Sequence, residues 1–116
     1  MSTKYVPDRG DVVSLSLDPQ AGHEQKGRRP VLVVSPAAYN LKTSLAIFCP
    51  ITSQSKGYPF EVPIPKGHRV KGVILSDQVK SLDWRIRRAR FVCRLPRPVL
   101  VETIQKIGAL LGIEIS

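Results

Sequence analysis

Residues 21–35 read AGHEQKGRRPVLVVS, and this stretch combines a polar segment with an apolar one. The first half of this stretch is polar and charged, whereas residues 30–34 are continuously apolar and rich in valine. Such a run is typical of a β-strand that is buried on both faces. Reactive side chains therefore precede a rigid strand directly, and loops held in this way often carry functional sites. A solvated connection, whose charges only keep it hydrated, is the alternative interpretation.

Short strands separated by turns are predicted over most of the chain. In residues 12–17, Val13, Leu15 and Leu17 alternate with serines and so share one face. Residues 58–64 contain two prolines, which is typical of an edge strand. A serine followed by proline predicts a short helix over residues 36–42. The other predicted strands cover residues 30–35, 44–51, 72–76 and 90–95, and in the last Phe91, Cys93 and Leu95 are expected to point inward.

The apolar period changes near the C-terminus. Leu100, Ile104, Ile107 and Leu111 recur at helical spacing from residue 98 onward, and Gly112 is a suitable stop. The pattern predicts one domain over residues 1–116, mainly β, folded as a small antiparallel barrel with a C-terminal helix. Further apolar residues widen the helix stripe, which predicts a homodimer: Val99, Val101 and Leu110.

Charge and composition restrict the class of protein. Eighteen basic and nine acidic residues give a net charge of +9, which favours a polyanionic partner. The sequence has no apolar run of 18 residues and no secretory signal, so a cytoplasmic protein without a membrane span is predicted. Cys49 and Cys93 are expected to be buried thiols, with a structural disulfide as the alternative. The spacing of cysteines and histidines predicts no metal site, and no cofactor is expected.

Residues 84–97 concentrate the positive charge. This stretch, WRIRRARFVCRLPR, has six arginines and no acidic residue. Arginine suits bidentate contact with phosphate groups, and phosphate contact is therefore the favoured interpretation. A strand edge protected from aggregation by its charge is the alternative.

The residue types in these loops fit metal-free cleavage of RNA. That reaction needs a base for the ribose 2′-hydroxyl, donors that stabilise the pentavalent phosphate, and an acid for the leaving 5′-oxygen. Glu24 could act as the base and Arg29 as the phosphate clamp. His23 could act as the acid and Thr52 as a neutral donor. The pattern alone is not specific, because a His-Glu pair in a loop is more often merely solvated.

Family resemblance gives the more specific hypothesis. The chain resembles the MazF/PemK/Kid toxins of bacterial toxin–antitoxin pairs in YVPDRGDVV at 5–13, DPQAGHEQKGRRPVLVVSP at 18–36, YN at 39–40, PITSQSKGYPFEV at 50–62 and DQVKSLDWRIR at 77–87. The resemblance implies an SH3-like barrel with a dimerising terminal helix. It also implies a ribosome-independent endoribonuclease that cuts single-stranded RNA at short sequences without a metal. The expected products are a 2′,3′-cyclic phosphate and a 5′-hydroxyl, and a cognate acidic antitoxin is the expected inhibitor.

The same resemblance assigns roles to individual positions. The family's catalytic arginine, threonine and loop glutamate match Arg29, Thr52 and Glu24. One branch uses a loop histidine, an arginine and an aspartate, which match His23, Leu75 and Asp77, so the arginine of that branch is missing here. We therefore assign catalysis to Glu24, Arg29 and Thr52, with His23 and Asp77 as further candidates and the proton donor left open. The expected RNA contacts are Arg28, Lys56, Gln78, Lys80, Arg87 and Arg88.

A second class of function has to be weighed beside this one. Related proteins on the same fold act as gyrase-binding toxins, and a basic barrel can also bind nucleic acid without cutting it. The pairing of Arg29 with Thr52 favours cleavage, because a protein that only binds RNA has no need of it.

Overall fold

A computed structural model describes residues 4–17 and 27–113. In these ranges the chain forms seven strands and two helices. In chain order they are β1 (Asp11–Ser16), β2 (Arg28–Val33), α1 (Ala37–Thr43), β3 (Leu45–Thr52), β4 (Glu61–Pro63), β5 (Val73–Leu75), β6 (Lys80–Asp83), β7 (Arg90–Arg94) and α2 (Arg97–Leu110).

The strands form one antiparallel ladder in the order β4-β5-β3-β2-β1-β7, and β6 also pairs with β3. The predicted mainly antiparallel fold with a C-terminal helix is confirmed. The predicted closure into a barrel is corrected, because in the described part of the chain β4 and β7 end the ladder without pairing with each other. β4 lies at the edge, as the prolines of residues 58–64 predict.

The strand β2 is buried on both faces, as its apolar run predicts. Leu32 belongs to a first core cluster that also contains Val12 and Cys49. Val31 and its neighbour two residues on, Val33, belong to a second core cluster on the opposite face. The strand β2 therefore lies between two apolar layers, which hold the residues at its ends in place.

The helix α2 packs on the first core cluster. Leu100 is buried there, and Ile104 and Ile107 pack against it. Leu111 was predicted to continue this stripe but is 69% exposed, because the helix ends one residue earlier. The end is a Schellman turn, in which Gly112 has φ of 74° and the following N–H donates to the carbonyl of Gly108 at 2.8 Å.

Two other inward assignments are wrong. Phe91 is 52% exposed because the pairing of β1 with β7 shifts register at Val12 and Val13. Because of this irregularity, Cys93 pairs with Val12 and Phe91 pairs with Val13, and these two valines face opposite sides of β1. Phe91 and Cys93 therefore do not share one face, as strict alternation along β7 would predict. Leu17 is 50% exposed because it lies beyond the end of β1.

Both cysteines are free thiols, as predicted. Cys49 is fully buried and Cys93 is half-buried. Burial is the main cause that raises the pKa of both groups, and the pKa of Cys49 reaches about 12. Within the described ranges, neither helix has the length and apolar character needed to span a bilayer.

Candidate active site

Arg29 and Thr52 meet at the end of the β2–β3 ladder. The register pairs Val31 with Pro50, and the same register continued by two residues places Arg29 opposite Thr52. Both side chains line one cavity of about 730 Å³, which we call the Arg29–Thr52 cavity. Its volume lies in the range of sites that hold a drug-sized ligand, so it exceeds the space of a single phosphate group.

The donor groups of both residues remain available to a ligand. Arg29 is exposed, and its guanidinium donates to no group among the residues that the structure describes. The hydroxyl oxygen of Thr52 accepts a hydrogen bond from the backbone N–H of Gln54 at 3.2 Å. A hydroxyl can accept and donate at once, so the Thr52 O–H remains available to donate into the cavity. The cavity therefore presents one charged and one neutral donor.

Part of the lining of the Arg29–Thr52 cavity comes from the connection between β4 and β5. It contributes Arg69, Val70 and Lys71, and neither basic residue was among the predicted site residues. The signal in the sequence is weak: two basic residues flank a valine and precede Gly72. Only the folded chain brings this segment against β3, so sequence spacing gives no indication of the contact.

A smaller cavity of about 280 Å³ adjoins the first one. The two share Thr52, Gln54 and Leu75 in their linings. The predicted residues Lys56, Asp77 and Gln78 all line this second cavity, as do Tyr58 and Phe60. Three sequence-predicted residues are thus brought beside Thr52, whereas Leu75 occupies the position where one branch of the family carries an arginine.

The loop that carries Lys56 is fixed by a buried carboxylate. Glu61 accepts hydrogen bonds from the Ser55 hydroxyl at 2.7 Å, from the Lys56 N–H at 2.9 Å and from the Gly57 N–H at 3.2 Å. These bonds, the one from Lys56 foremost, lower the pKa of Glu61. The ε-ammonium of Lys106 donates to the carbonyl of Glu61 at 2.9 Å and ties this site to α2.

The predicted RNA contacts Arg28 and Arg87 are engaged with the protein itself. The Arg28 guanidinium donates to the Ser14 hydroxyl at 3.1 Å, to the Ser14 carbonyl at 2.8 Å and to the Arg88 carbonyl. Arg87 donates to the Ser16 carbonyl at 3.1 Å. Burial is the main cause that lowers the pKa of Arg28. We call this group at the end of β1 the Arg28–Arg87 cluster, and these arginines lie outside both cavities described above.

The remaining predicted residues divide into two groups. Lys80 lies exposed on β6, away from the linings of both cavities. His23 and Glu24 lie outside the described residues. In residues 4–17 and 27–113, no three His, Cys, Asp or Glu side chains converge as metal ligands would.

Comparison with known families agrees with the resemblance noted in the sequence. The family described as "PemK-like, MazF-like toxin of type II toxin-antitoxin system" matches residues 8–111. The chain belongs to this family. The match therefore includes both strands that carry Arg29 and Thr52, as well as the helix α2.

Individual relatives cover the chain almost completely. The endoribonuclease toxin MazF of Escherichia coli K12 is 52% identical over 112 residues, which are 97% of this chain and 100% of the relative. The endoribonuclease PemK of Escherichia coli is 37% identical and covers 90% of this chain and 81% of PemK. A crystal structure of MazE–MazF from Deinococcus radiodurans superposes with a TM-score of 0.87 at 50% identity, over 96% of this chain and 100% of that one.

Proposed function

We propose that this member of the MazF-like family is a toxin endoribonuclease that cleaves single-stranded RNA, including mRNA, at short sequences and independently of the ribosome. The observation that carries the proposal is the meeting of Arg29 and Thr52 in one cavity with donors available to a ligand. The relatives named above, which are called endoribonucleases, support the same activity.

The reaction is an internal transesterification. The ribose 2′-oxygen attacks the adjacent phosphorus, and Glu24 accepts its proton as general base. A bond forms between the 2′-oxygen and phosphorus while the bond to the 5′-oxygen breaks. The products are a 2′,3′-cyclic phosphate and a 5′-hydroxyl, whose proton is supplied by His23 or water. Because nucleophile, base and donors all come from RNA and protein groups, the step needs no metal.

Arg29 and Thr52 stabilise the charge that develops during this step. The phosphorane carries more negative charge on its equatorial oxygens than the substrate does, so fixed donors act more strongly on the transition state. The guanidinium of Arg29 can bind two of these oxygens at once. The Thr52 hydroxyl adds a neutral donor whose oxygen is held by the Gln54 N–H at 3.2 Å.

The substrate path runs along both cavities. Lys56 and Gln78 are proposed RNA contacts beside Thr52, and Asp77 is a further catalytic candidate there. Lys80, Arg28, Arg87 and Arg88 are proposed as more distant contacts with the RNA backbone. Arg28 and Arg87 should contribute less each, because part of each guanidinium already binds a protein carbonyl.

The proposed partners are a second copy of the chain and an acidic antitoxin. Leu110, Leu111 and Ile113 expose apolar surface at the end of α2, which supports a homodimer. The net charge of +9 supports an acidic inhibitor, and the solved MazE–MazF complex of a relative supports the same partner. A cytoplasmic location is part of the proposal, since RNA is the substrate.

Incubation of the purified protein with a mixed-sequence RNA in EDTA tests the activity. We expect discrete fragments that end in 2′,3′-cyclic phosphate and begin with a 5′-hydroxyl, as identified by mass spectrometry. The Arg29→Ala variant, purified in parallel, excludes a contaminating nuclease. Tight binding of RNA without fragments would contradict the proposal and favour a toxin that acts by binding nucleic acid or gyrase.

A further inference from the structure

The connection between β4 and β5 places two exposed cations on either side of a buried valine. Val70 is buried in the first core cluster, whereas its neighbours Arg69 and Lys71 are exposed. Both cations line the Arg29–Thr52 cavity.

The backbone of this segment is fixed at several points. The carbonyl of Gly72 accepts a hydrogen bond from Ile64 at 3.0 Å. The burial of Val70 and this hydrogen bond thus hold the segment that carries the two cations.

Gly72 is what allows the segment to approach β3. A Cβ atom at this position would lie 1.9 Å from the carbonyl oxygen of Thr52 and 2.8 Å from the Cα of Ser53. The φ of Gly72 is 114°, which residues with a side chain rarely adopt. The next residue, Val73, pairs with Thr52 in the β3–β5 ladder. The absence of a side chain thus brings the basic segment against the proposed catalytic threonine.

We propose that Arg69 and Lys71 form a second anion site that holds a backbone phosphate next to the one being cleaved, and that Gly72 positions it. The inference rests on the proposed ribonuclease function. A single-stranded RNA presents a further phosphate on each side of the reacting one, and the cavity volume of about 730 Å³ exceeds what one phosphate needs. Among the residues described, no group accepts a hydrogen bond from the side chain of Arg69 or Lys71.

A contact with a non-reacting phosphate has a distinct kinetic signature. Its charge is the same in the substrate and in the transition state, so the contact strengthens both equally. Removal of the Arg69 and Lys71 charges should therefore raise KM with little change in kcat, whereas removal of the Arg29 charge should lower kcat. This split separates a flanking anion site from a catalytic one.

The test combines the double variant Arg69→Gln/Lys71→Gln with substrates that carry one neutral methylphosphonate beside the cut. On ordinary RNA the double variant should raise KM by about tenfold. The slope of log affinity against log salt concentration should become shallower by about 0.7 for each phosphate that the variant no longer binds. When the phosphate that this site binds is replaced by methylphosphonate, wild type and variant should become equal. Replacement on the other side of the cut should leave the difference unchanged.

Lys42→Gln/Arg97→Gln is the matched control, because it removes the same charge from two exposed residues that lie outside the cavity lining. It should respond equally to all three substrates. The inference is overturned if Arg69→Gln/Lys71→Gln behaves like this control, or if its kcat falls while KM is unchanged.

Binding of a non-cleavable 2′-deoxy oligonucleotide gives the same comparison without catalysis. If wild type binds this probe but cleaves no RNA, the proposed function fails while the anion site can still be judged.

Discussion

Arg28 and Arg29 are neighbours on β2, yet they lie in different surroundings. Arg28 donates to the Ser14 carbonyl at 2.8 Å and belongs to the Arg28–Arg87 cluster. Arg29 faces the cavity that it shares with Thr52, and no described group accepts from its side chain. Because successive residues of a strand point to opposite faces, one arginine strengthens the fold and the other remains available to a ligand.

The comparison shows why a count of basic residues does not locate a binding site. The stretch at residues 84–97 contains six arginines, but Arg87 binds the Ser16 carbonyl and Arg94 binds Asp11 at 2.7 Å. The cations that line the Arg29–Thr52 cavity come instead from other segments of the chain, β2 and the β4–β5 connection. These cations combine donor groups that no described residue engages with a place in the lining of one cavity.

Replacement of Arg29 should give the largest effect on activity. Arg29→Ala is expected to reduce turnover by about 10²–10³, because it removes a donor aimed at charge that develops in the transition state. Its melting temperature should stay close to that of wild type, since the side chain is exposed. Single-turnover cleavage and calorimetry measure the two quantities. Equal losses of RNA binding and of cleavage would show that Arg29 only docks the substrate.

Replacement of Gly72 should affect both stability and activity. Gly72→Ala forces a side chain onto a φ of 114° and against the Thr52 carbonyl, so we expect a loss of about 1–3 kcal/mol in the free energy of unfolding. Turnover should fall as well, because Thr52 must shift. Urea denaturation and cleavage rates measure these effects. Gly112→Ala is a suitable control, since no atom lies within 4 Å of a Cβ placed there. Unchanged turnover in Gly72→Ala would show that the position of Thr52 is not critical.

Replacement of Arg28 should have the opposite effect to replacement of Arg29: stability should fall, and cleavage should change little. Arg28→Ala removes hydrogen bonds to the Ser14 hydroxyl and carbonyl and to the Arg88 carbonyl, so a loss of about 1–3 kcal/mol in unfolding free energy is expected. Cleavage at saturating RNA should change much less than in Arg29→Ala. Chemical denaturation checks the first expectation. Full stability together with strongly weakened RNA binding would make Arg28 a ligand residue like its neighbour and would remove the contrast.

The smallest expected effect concerns the pH dependence of the loop beside Thr52. Folding lowers the pKa of Glu61, so its hydrogen bonds stabilise the folded state above the ordinary glutamate pKa of about 4.3 and are lost as pH falls through the folded value. The stability difference between wild type and Glu61→Gln should therefore be constant near neutral pH and shrink in acid. Denaturation between about pH 3 and 7 measures it. A difference that grows in acid would contradict the assignment.

The sequence predicts those features that depend on local pattern. The valine run of β2 indicates burial on both faces, and Gly112 correctly indicates the end of α2. The strand β6, in contrast, was not predicted, because its residues Lys80–Asp83 are mostly polar and form a strand only by pairing with β3. The inward position of Phe91 was predicted wrongly for a similar reason, since a register shift depends on the neighbouring strand.

The candidate site shows the same limit. Arg29 and Thr52 stand out by residue type and family motif, but their meeting depends on the β2–β3 register, which no local pattern gives. Arg69 and Lys71 were not predicted at all, because they reach the cavity only through the close approach of Gly72 to Thr52. Residue chemistry can be predicted from the sequence, whereas the set of residues around one cavity requires the fold.

The central claim is that an RNA 2′-hydroxyl is the nucleophile at the Arg29–Thr52 cavity, and one substrate tests it most directly. An oligonucleotide with a single 2′-deoxy sugar on the 5′ side of the cut should bind about as well as RNA, because most affinity comes from phosphates and bases. It should not be cleaved, with or without magnesium, while the all-RNA control is cut completely in EDTA. Cleavage of the deoxy substrate would mean that water attacks instead, and would contradict the roles given to Glu24, Arg29 and Thr52.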